Sequence, residues 1–211
     1  MIFKLHKDVI LFPDAELAEE DGLLAVGGDL SPERLILAYK HGIFPWYSDK
    51  SPILWYSPHT RFVLFPEKIR ISKSMSHVVN SEVFRFTYDE DFQAVIQACA
   101  QIERKDQPGT WINPDMQKAY IRLHRSGLAH SVEVWRGQEL VGGLYGVSVN
   151  HVFCGESMFS KVSDASKAAL IWLCQNQQYK MIDCQIESEH LKRMGAEMIS
   201  RKEYLDILNA M

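Results

Sequence analysis

The chain has 211 residues, 46% hydrophobic and 24% charged, which is room for one α/β domain with a small appendage and a core of useful size. Its formal net charge of −4 argues against nucleic-acid binding over the whole surface and leaves room for a local basic patch. No run of eighteen apolar residues occurs, and the first residues lack a signal peptide's apolar stretch, so a cytoplasmic protein without membrane contact is expected.

The first sixty residues are dense in Gly, Pro and aromatics. One helix is clear there: Ser31 caps it, Pro32 suits its first position, and Gly42 stops it. Ile43 to Ser57 reads as an aromatic loop or short hairpin, and a domain boundary is placed near His59. This gives a small N-terminal domain, residues 1–59, and a larger one, residues 60–211.

The larger part alternates strands and helices. Phe62–Phe65 and Val83–Tyr88 read as strands. Asp91–Ile102 is amphipathic, with Phe92, Val95, Ile96 and Cys99 at helical spacing. Asn113 and Pro114 open another helix, with Met116, Ala119, Tyr120 and Leu123 on its inner face and Gly127 at its end. Ser131–Trp135, Leu140–Val147 and His151–Ser157 form a three-strand meander. A helix over 164–177 leads to the strand Met181–Ile186. Gly195 closes a short helix, and Ser200 with Glu203 caps the last one. The fold class is therefore α/β or α+β, with an antiparallel meander.

Three segments carry possible chemistry. On the strand Met181–Ile186, alternation sets Asp183 and Gln185 on one face, either as a solvent-facing side or as a pair able to orient an amine. Cys154 to Ser160 ends a strand, where Gly155 permits close approach to the backbone. Glu156 there is either a surface residue or a cation site. The aromatics Phe44, Trp46, Tyr47, Trp55, Tyr56 and Trp111 either join the two parts or stack on unpaired bases.

Other patterns are weak. Gly142 to Gly146 lies inside a strand, so it is no dinucleotide fingerprint. The cysteines Cys99, Cys154, Cys174 and Cys184 form no C-x-x-C pair and are read as reduced thiols. His151 with Cys154, or Cys184 with His190, has no spacing specific to a thiol–base pair. The eight histidines lack metal-ligand spacing, so no metal is expected.

Taken in order, several segments strongly resemble the leucyl/phenylalanyl-tRNA–protein transferase family. They are Gly22 to Ser31, Tyr39-Lys-His-Gly-Ile-Phe-Pro-Trp46, Trp55 to Pro58, Gly109-Thr-Trp-Ile112, His130 to Trp135, Leu140 to Val147, Phe153-Cys-Gly-Glu-Ser-Met-Phe-Ser160 and Ile182-Asp-Cys-Gln185. The resemblance implies a larger domain of the GNAT (acyl-CoA N-acyltransferase-like) kind. It implies transfer of Leu, Phe or Met from aminoacyl-tRNA to proteins that begin with Lys or Arg, marking them for degradation. The ester donor is already activated, so no cofactor is implied, and a monomer is expected.

Carried over by position, the resemblance assigns Trp46 and Trp111 to the terminal adenosine, with Tyr39 near them. It puts Asp183 and Gln185 at the reacting amine and Glu156 at the acceptor's basic side chain. Leu144, Phe153 and Met158 fall at the pocket for the transferred side chain. One departure concerns charge: family members often carry a strongly basic stretch after the segment matching Ile71–Met75, where this chain has the almost uncharged Ser76-His-Val-Val-Asn80, leaving Arg61, Lys68, Arg70, Lys73 and Arg85 against Glu67 and Glu82. Two rivals remain, an acyl-CoA-dependent N-acyltransferase and a non-catalytic module that binds tRNA or N-termini. The glycine-free segment Lys161 to Lys167 disfavours the first.

Overall fold

The computed structural model describes residues 2–48, 50–102 and 111–210. Gly109 and Thr110, part of one family-like segment, lie outside the described residues. Among the described residues the chain builds two sheets.

The small sheet holds β1 (Phe3–Leu5), β2 (Leu23–Gly27), β3 (Phe44–Pro45) and β4 (Leu54–Tyr56) in the order β1-β2-β4-β3. Helix α1 (Pro32–Lys40) joins β2 to β3. Ser31 caps it by accepting from the Arg34 amide, and Gly42 turns the chain away at φ +68°, a conformation that suits a residue without Cβ. The aromatic stretch after α1 is a hairpin, with Phe44 opposite Tyr56 and Pro45 opposite Trp55.

The large sheet has seven strands: β5 (Thr60–Leu64), β6 (Arg85–Tyr88), β7 (Ala129–Arg136), β8 (Glu139–Val149), β9 (Val152–Ser160), β10 (Met181–Asp183) and β11 (Glu197–Ser200). Their order is β11-β5-β10-β9-β8-β7-β6, and β9 with β10 is the parallel pair. The remaining helices are α2 (Lys73–Asn80), α3 (Phe92–Gln101), α4 (Pro114–Arg125), α5 (Ala165–Asn176), α6 (Glu189–Arg193) and α7 (Arg201–Asn209).

A core lies on each side of this sheet. Strand alternation feeds both: Val132, Val134 and Leu144 pack with α2 and α5, while Tyr145, Val147 and Cys154 pack with α3, α4 and α7. The second core continues without a break into the small sheet through Leu24, Ala25 and Trp55. Fully buried Trp55 also donates its indole N–H to the Gly27 carbonyl at 2.9 Å, as a buried indole needs.

The meander, the caps of α1, α4 and α7, and the inner faces of α3 and α4 match the expectation. The expected strand Met181–Ile186 is shorter, stopping at Asp183. There the Asp183 Oδ1 accepts from the Gln185 amide at 3.0 Å and Gln185 takes φ +58°. A short acidic side chain thus closes a turn that competes with the ladder. Strands β1, β2 and β11 and helix α2 are not apparent from the pattern. β2 sits between Gly22 and Gly28, where turn residues mask it, and α2 buries only Met75.

The Gly142–Gly146 run serves packing. A Cβ on Gly142 would lie 2.5 Å from the Ala165 Cβ at the start of α5, so the missing side chain lets α5 seat on β8. Gly142→Val is expected to cost about 1–3 kcal/mol, as overpacking does, read as a lower urea midpoint at unchanged m-value.

Candidate active site

The site begins where two parallel strands part. β10 pairs with β9 at Met181–Val152, Ile182–Phe153 and Asp183–Cys154, and then ends. β9 runs on to Ser160 paired with β8 alone. A cavity of about 440 Å³ opens along that freed edge, walled by residues 155–158 of β9 and residues 183–186 of the turn after β10.

β9 is irregular at this point. Gly155 pairs with Gly146 and Ser157 with Tyr145, so Glu156 is an extra residue in a β-bulge. A bulge re-aims side chains and reverses the alternation beyond it. Phe153 and Met158 are five positions apart and would face opposite ways on a regular strand, yet both pack on the α5 side. Cys154 and Phe159 share the other side.

Glu156 is 8% exposed. Its Oε1 accepts from the Tyr39 hydroxyl at 2.7 Å and the Gln185 amide at 3.0 Å, and its Oε2 meets the Tyr120 hydroxyl at 3.0 Å. Burial pushes its carboxyl up to about 7, against the pull of those three hydrogen bonds, and the Asp183 charge adds to the rise.

Asp183 is fully buried and paired with the buried guanidinium of Arg61. Arg61 also donates to the Gly42 carbonyl at 2.7 Å and lies over the rings of Phe44 and Tyr204. Asp183 thus has one oxygen on Arg61 and the other on the Gln185 backbone. Gln185 is half-buried, and its Nε2 is committed to Glu156, which leaves its carbonyl oxygen as the acceptor available toward the cavity.

Eight of the nine residues singled out from the sequence line this one cavity: Trp46, Trp111, Leu144, Phe153, Glu156, Met158, Asp183 and Gln185. Leu144, Phe153 and Met158 form an apolar wall that Leu170 and Leu191 extend. Trp46 is 40% exposed, set edge-on to Tyr56. Tyr39 differs: it is 2% exposed and not part of the wall. Its ring has no free face for an adenine, and its hydroxyl meets Glu156 instead.

Sequence reasoning missed Tyr120 as a site residue, seeing only a core position of α4. It also counted Arg61 in a basic patch, whereas Arg61 is 2% exposed and neutralised by Asp183. Of the other cations in that patch, Lys68 pairs with Glu197 and Arg85 with Glu90, while Arg70 and Lys73 remain exposed. Burial raises the Cys154, Cys174 and Cys184 thiols above the usual range, so none of these three is poised as a nucleophile.

Comparison with known proteins shows the family. The family model described as leucyl/phenylalanyl-tRNA protein transferase matches residues 63–209, and that of its N-terminal domain matches residues 28–59. The leucyl/phenylalanyl-tRNA–protein transferase of Flavobacterium johnsoniae is 51% identical over 99% of this chain and 100% of its own. That of Syntrophobacter fumaroxidans is 53% identical over 98% and 89%. Among solved structures, a GCN5-related N-acetyltransferase from Kribbella flavida aligns with TM-score 0.40 and 9% identity over 75% of this chain and 57% of its own. L-PGS from Bacillus licheniformis aligns with TM-score 0.41 and 14% identity over 76% and 51%. Likenesses this small add nothing to the assignment. The protein is an enzyme, a transferase of mixed α/β fold. The chain belongs to the leucyl/phenylalanyl-tRNA–protein transferase family.

Asp183→Ala would leave the Arg61 guanidinium buried without its counter-charge, and is expected to cost about 3–5 kcal/mol. Gln185→Ala removes one half-exposed side-chain bond and should cost no more than about 1.5 kcal/mol. Urea denaturation of both variants checks the contrast; equal stabilities would deny Asp183 its structural role.

Proposed function

We propose that the enzyme moves Leu, Phe or Met from aminoacyl-tRNA to the α-amine of proteins that begin with Lys or Arg, marking them for degradation, and that it acts as a monomer in the cytoplasm. The observation that carries this reading is the single bulge of β9. It sets an apolar wall (Leu144, Phe153, Met158) and a carboxyl (Glu156) in one cavity whose lining also includes two tryptophans.

In this reading the donor's side chain fills the apolar wall. Such a pocket separates one methylene by only about 1–3 kcal/mol, which supports acceptance of several related apolar donors. Trp46 and Trp111 hold the terminal adenosine by stacking. Glu156 pairs with the acceptor's basic side chain. Residues 60–211 then act as the GNAT-like transferase domain, with residues 1–59 supplying Trp46.

The chemistry needs little activation. The donor is an ester and the nucleophile an α-amine of ordinary pKa about 7.7–8.0, so roughly a tenth to a sixth is neutral at pH 7. Holding amine and ester together supplies much of the acceleration, up to about 7–11 kcal/mol in ideal cases. The Gln185 carbonyl oxygen accepts from the amine and aims its lone pair at the ester carbon. Asp183 is a positioning residue: it is spent on Arg61 and on the Gln185 backbone.

The acyl-CoA alternative fares worse. At the start of α5, where a pyrophosphate would sit, the cap residue is Asp164, in the left-handed region and paired with Lys167 at 2.7 Å. A carboxylate there repels phosphate.

Single-turnover transfer from Leu-tRNA to an Arg-started peptide tests the assignment, with acetyl-CoA as the rival donor. Gln185→Ala is expected to slow transfer about 100-fold, the scale of a misplaced reactant; a near-normal rate would remove Gln185 from the reaction. Trp46→Ala should raise KM for charged tRNA about tenfold, the worth of one lost stack, with unfolding midpoint unchanged. Transfer from acetyl-CoA alone would overturn the reading.

A further inference from the structure

We propose that Glu156 carries a proton in the free enzyme, as one member of a closed hydrogen-bond ring with Tyr39 and Tyr120, and that docking of a cationic acceptor expels this proton to solvent. The expulsion rests on the reading of Glu156 as the acceptor's partner; the ring does not.

The argument is a count of protons. Three oxygen pairs are in contact: Tyr39 Oη with Tyr120 Oη at 2.5 Å, Tyr39 Oη with Glu156 Oε1 at 2.7 Å, and Tyr120 Oη with Glu156 Oε2 at 3.0 Å. Each contact is attractive only if a proton lies in it. The two phenols hold two protons, and burial keeps both phenols well above their ordinary pKa. With an ionised carboxylate, one contact of the three is therefore lone pair against lone pair, whichever way the hydroxyls rotate. A protonated carboxyl supplies the third proton. Its Oε2–H donates to Tyr120, the Tyr120 hydroxyl donates to Tyr39, and the Tyr39 hydroxyl donates to Oε1. The Gln185 amide at Oε1 fits a neutral carbonyl oxygen as well as an anionic one.

Among the described residues, the charges near Glu156 do not reverse this. Tyr39 comes from α1, Tyr120 from α4, Tyr145 from β8, and Asp183 and Gln185 from β10 and its turn. The nearby cation is Arg61 of β5, already paired with Asp183. Among the described residues Glu156 makes no ion pair, and the Asp183 charge disfavours a second anion beside it.

A lysine or arginine side chain entering the cavity changes the balance. Its charge favours the carboxylate, the carboxyl proton leaves to buffer, and the ring opens so that both tyrosines donate to the anion. The carboxyl is thus stored neutral and becomes charged when its partner arrives. Glu156→Gln is the matching probe: its amide N–H replaces the acid O–H toward Tyr120 and its carbonyl accepts from Tyr39, so the ring stays closed, but the group cannot ionise.

The test uses the full chain and an Arg-started peptide without tRNA, so that no transfer occurs. Calorimetric titration at pH 6 in two buffers of different ionisation enthalpy is expected to show close to one proton released per peptide. Infrared difference spectra between free wild type and free Glu156→Gln at pH 6 should show a carboxylic-acid carbonyl band that peptide removes. Glu156-dependent binding with no proton release and no acid band overturns the ring and leaves the acceptor reading standing. Binding that Glu156→Gln leaves unchanged overturns the acceptor reading and the expulsion with it, while the band in the free protein still decides whether the ring holds a proton.

Discussion

The buried pair between Arg61 and Asp183 holds the site in one piece. Arg61 comes from the first strand of the large sheet, and its guanidinium reaches the Gly42 carbonyl, the Phe44 ring and the Tyr204 ring as well as Asp183. It therefore ties the end of α1, the start of the aromatic hairpin and the C-terminal helix to the strand that ends at the cavity. Two buried charges are expensive to desolvate, and such a pair is a poor source of stability compared with apolar packing. Its value lies in geometry: Asp183 has an oxygen left over, and that oxygen fixes the Gln185 turn.

Much of the fold was legible because it follows from local rules. Ser31, Asn113 and Ser200 each announce a helix by their capping chemistry, and each caps one. The meander was visible because its strands are long and broken by Asn150 and Gly137, both at positive φ. The short strands β1 and β11 were not visible: β1 has three residues and β11 four, too few for a period of two to stand out. Their existence depends on partners distant in sequence, Leu23–Gly27 for one and Thr60–Leu64 for the other.

For the site, identity was legible and arrangement was not. The resemblance gave site roles to eight of the cavity's lining residues, but the bulge at Glu156 left no periodic trace. A glycine beside a glutamate inside a strand is compatible with a regular ladder. Tyr39 and Tyr120 looked unrelated in the sequence, one part of a motif and the other part of a helix face, and their contacts with each other and with Glu156 bring them together. Arg61 misled in the opposite direction, since a charge count treats every arginine as solvent-facing. With Lys68 and Arg85 also paired, the surface near α2 keeps little free positive charge, and recognition of an RNA body there would lean on few phosphate contacts.

The extra residue in β9 has a consequence for how this cavity can change over time. Side chains on the apolar wall can be exchanged one at a time, because each substitution leaves the register alone. Loss of the inserted residue is a different event. It would take the carboxyl from both tyrosines, while Met158, then four positions from Phe153 and still opposite Leu144, would stay on the α5 side. The bulge therefore lets β9 carry one extra polar group while the apolar residues on either side of it keep their faces.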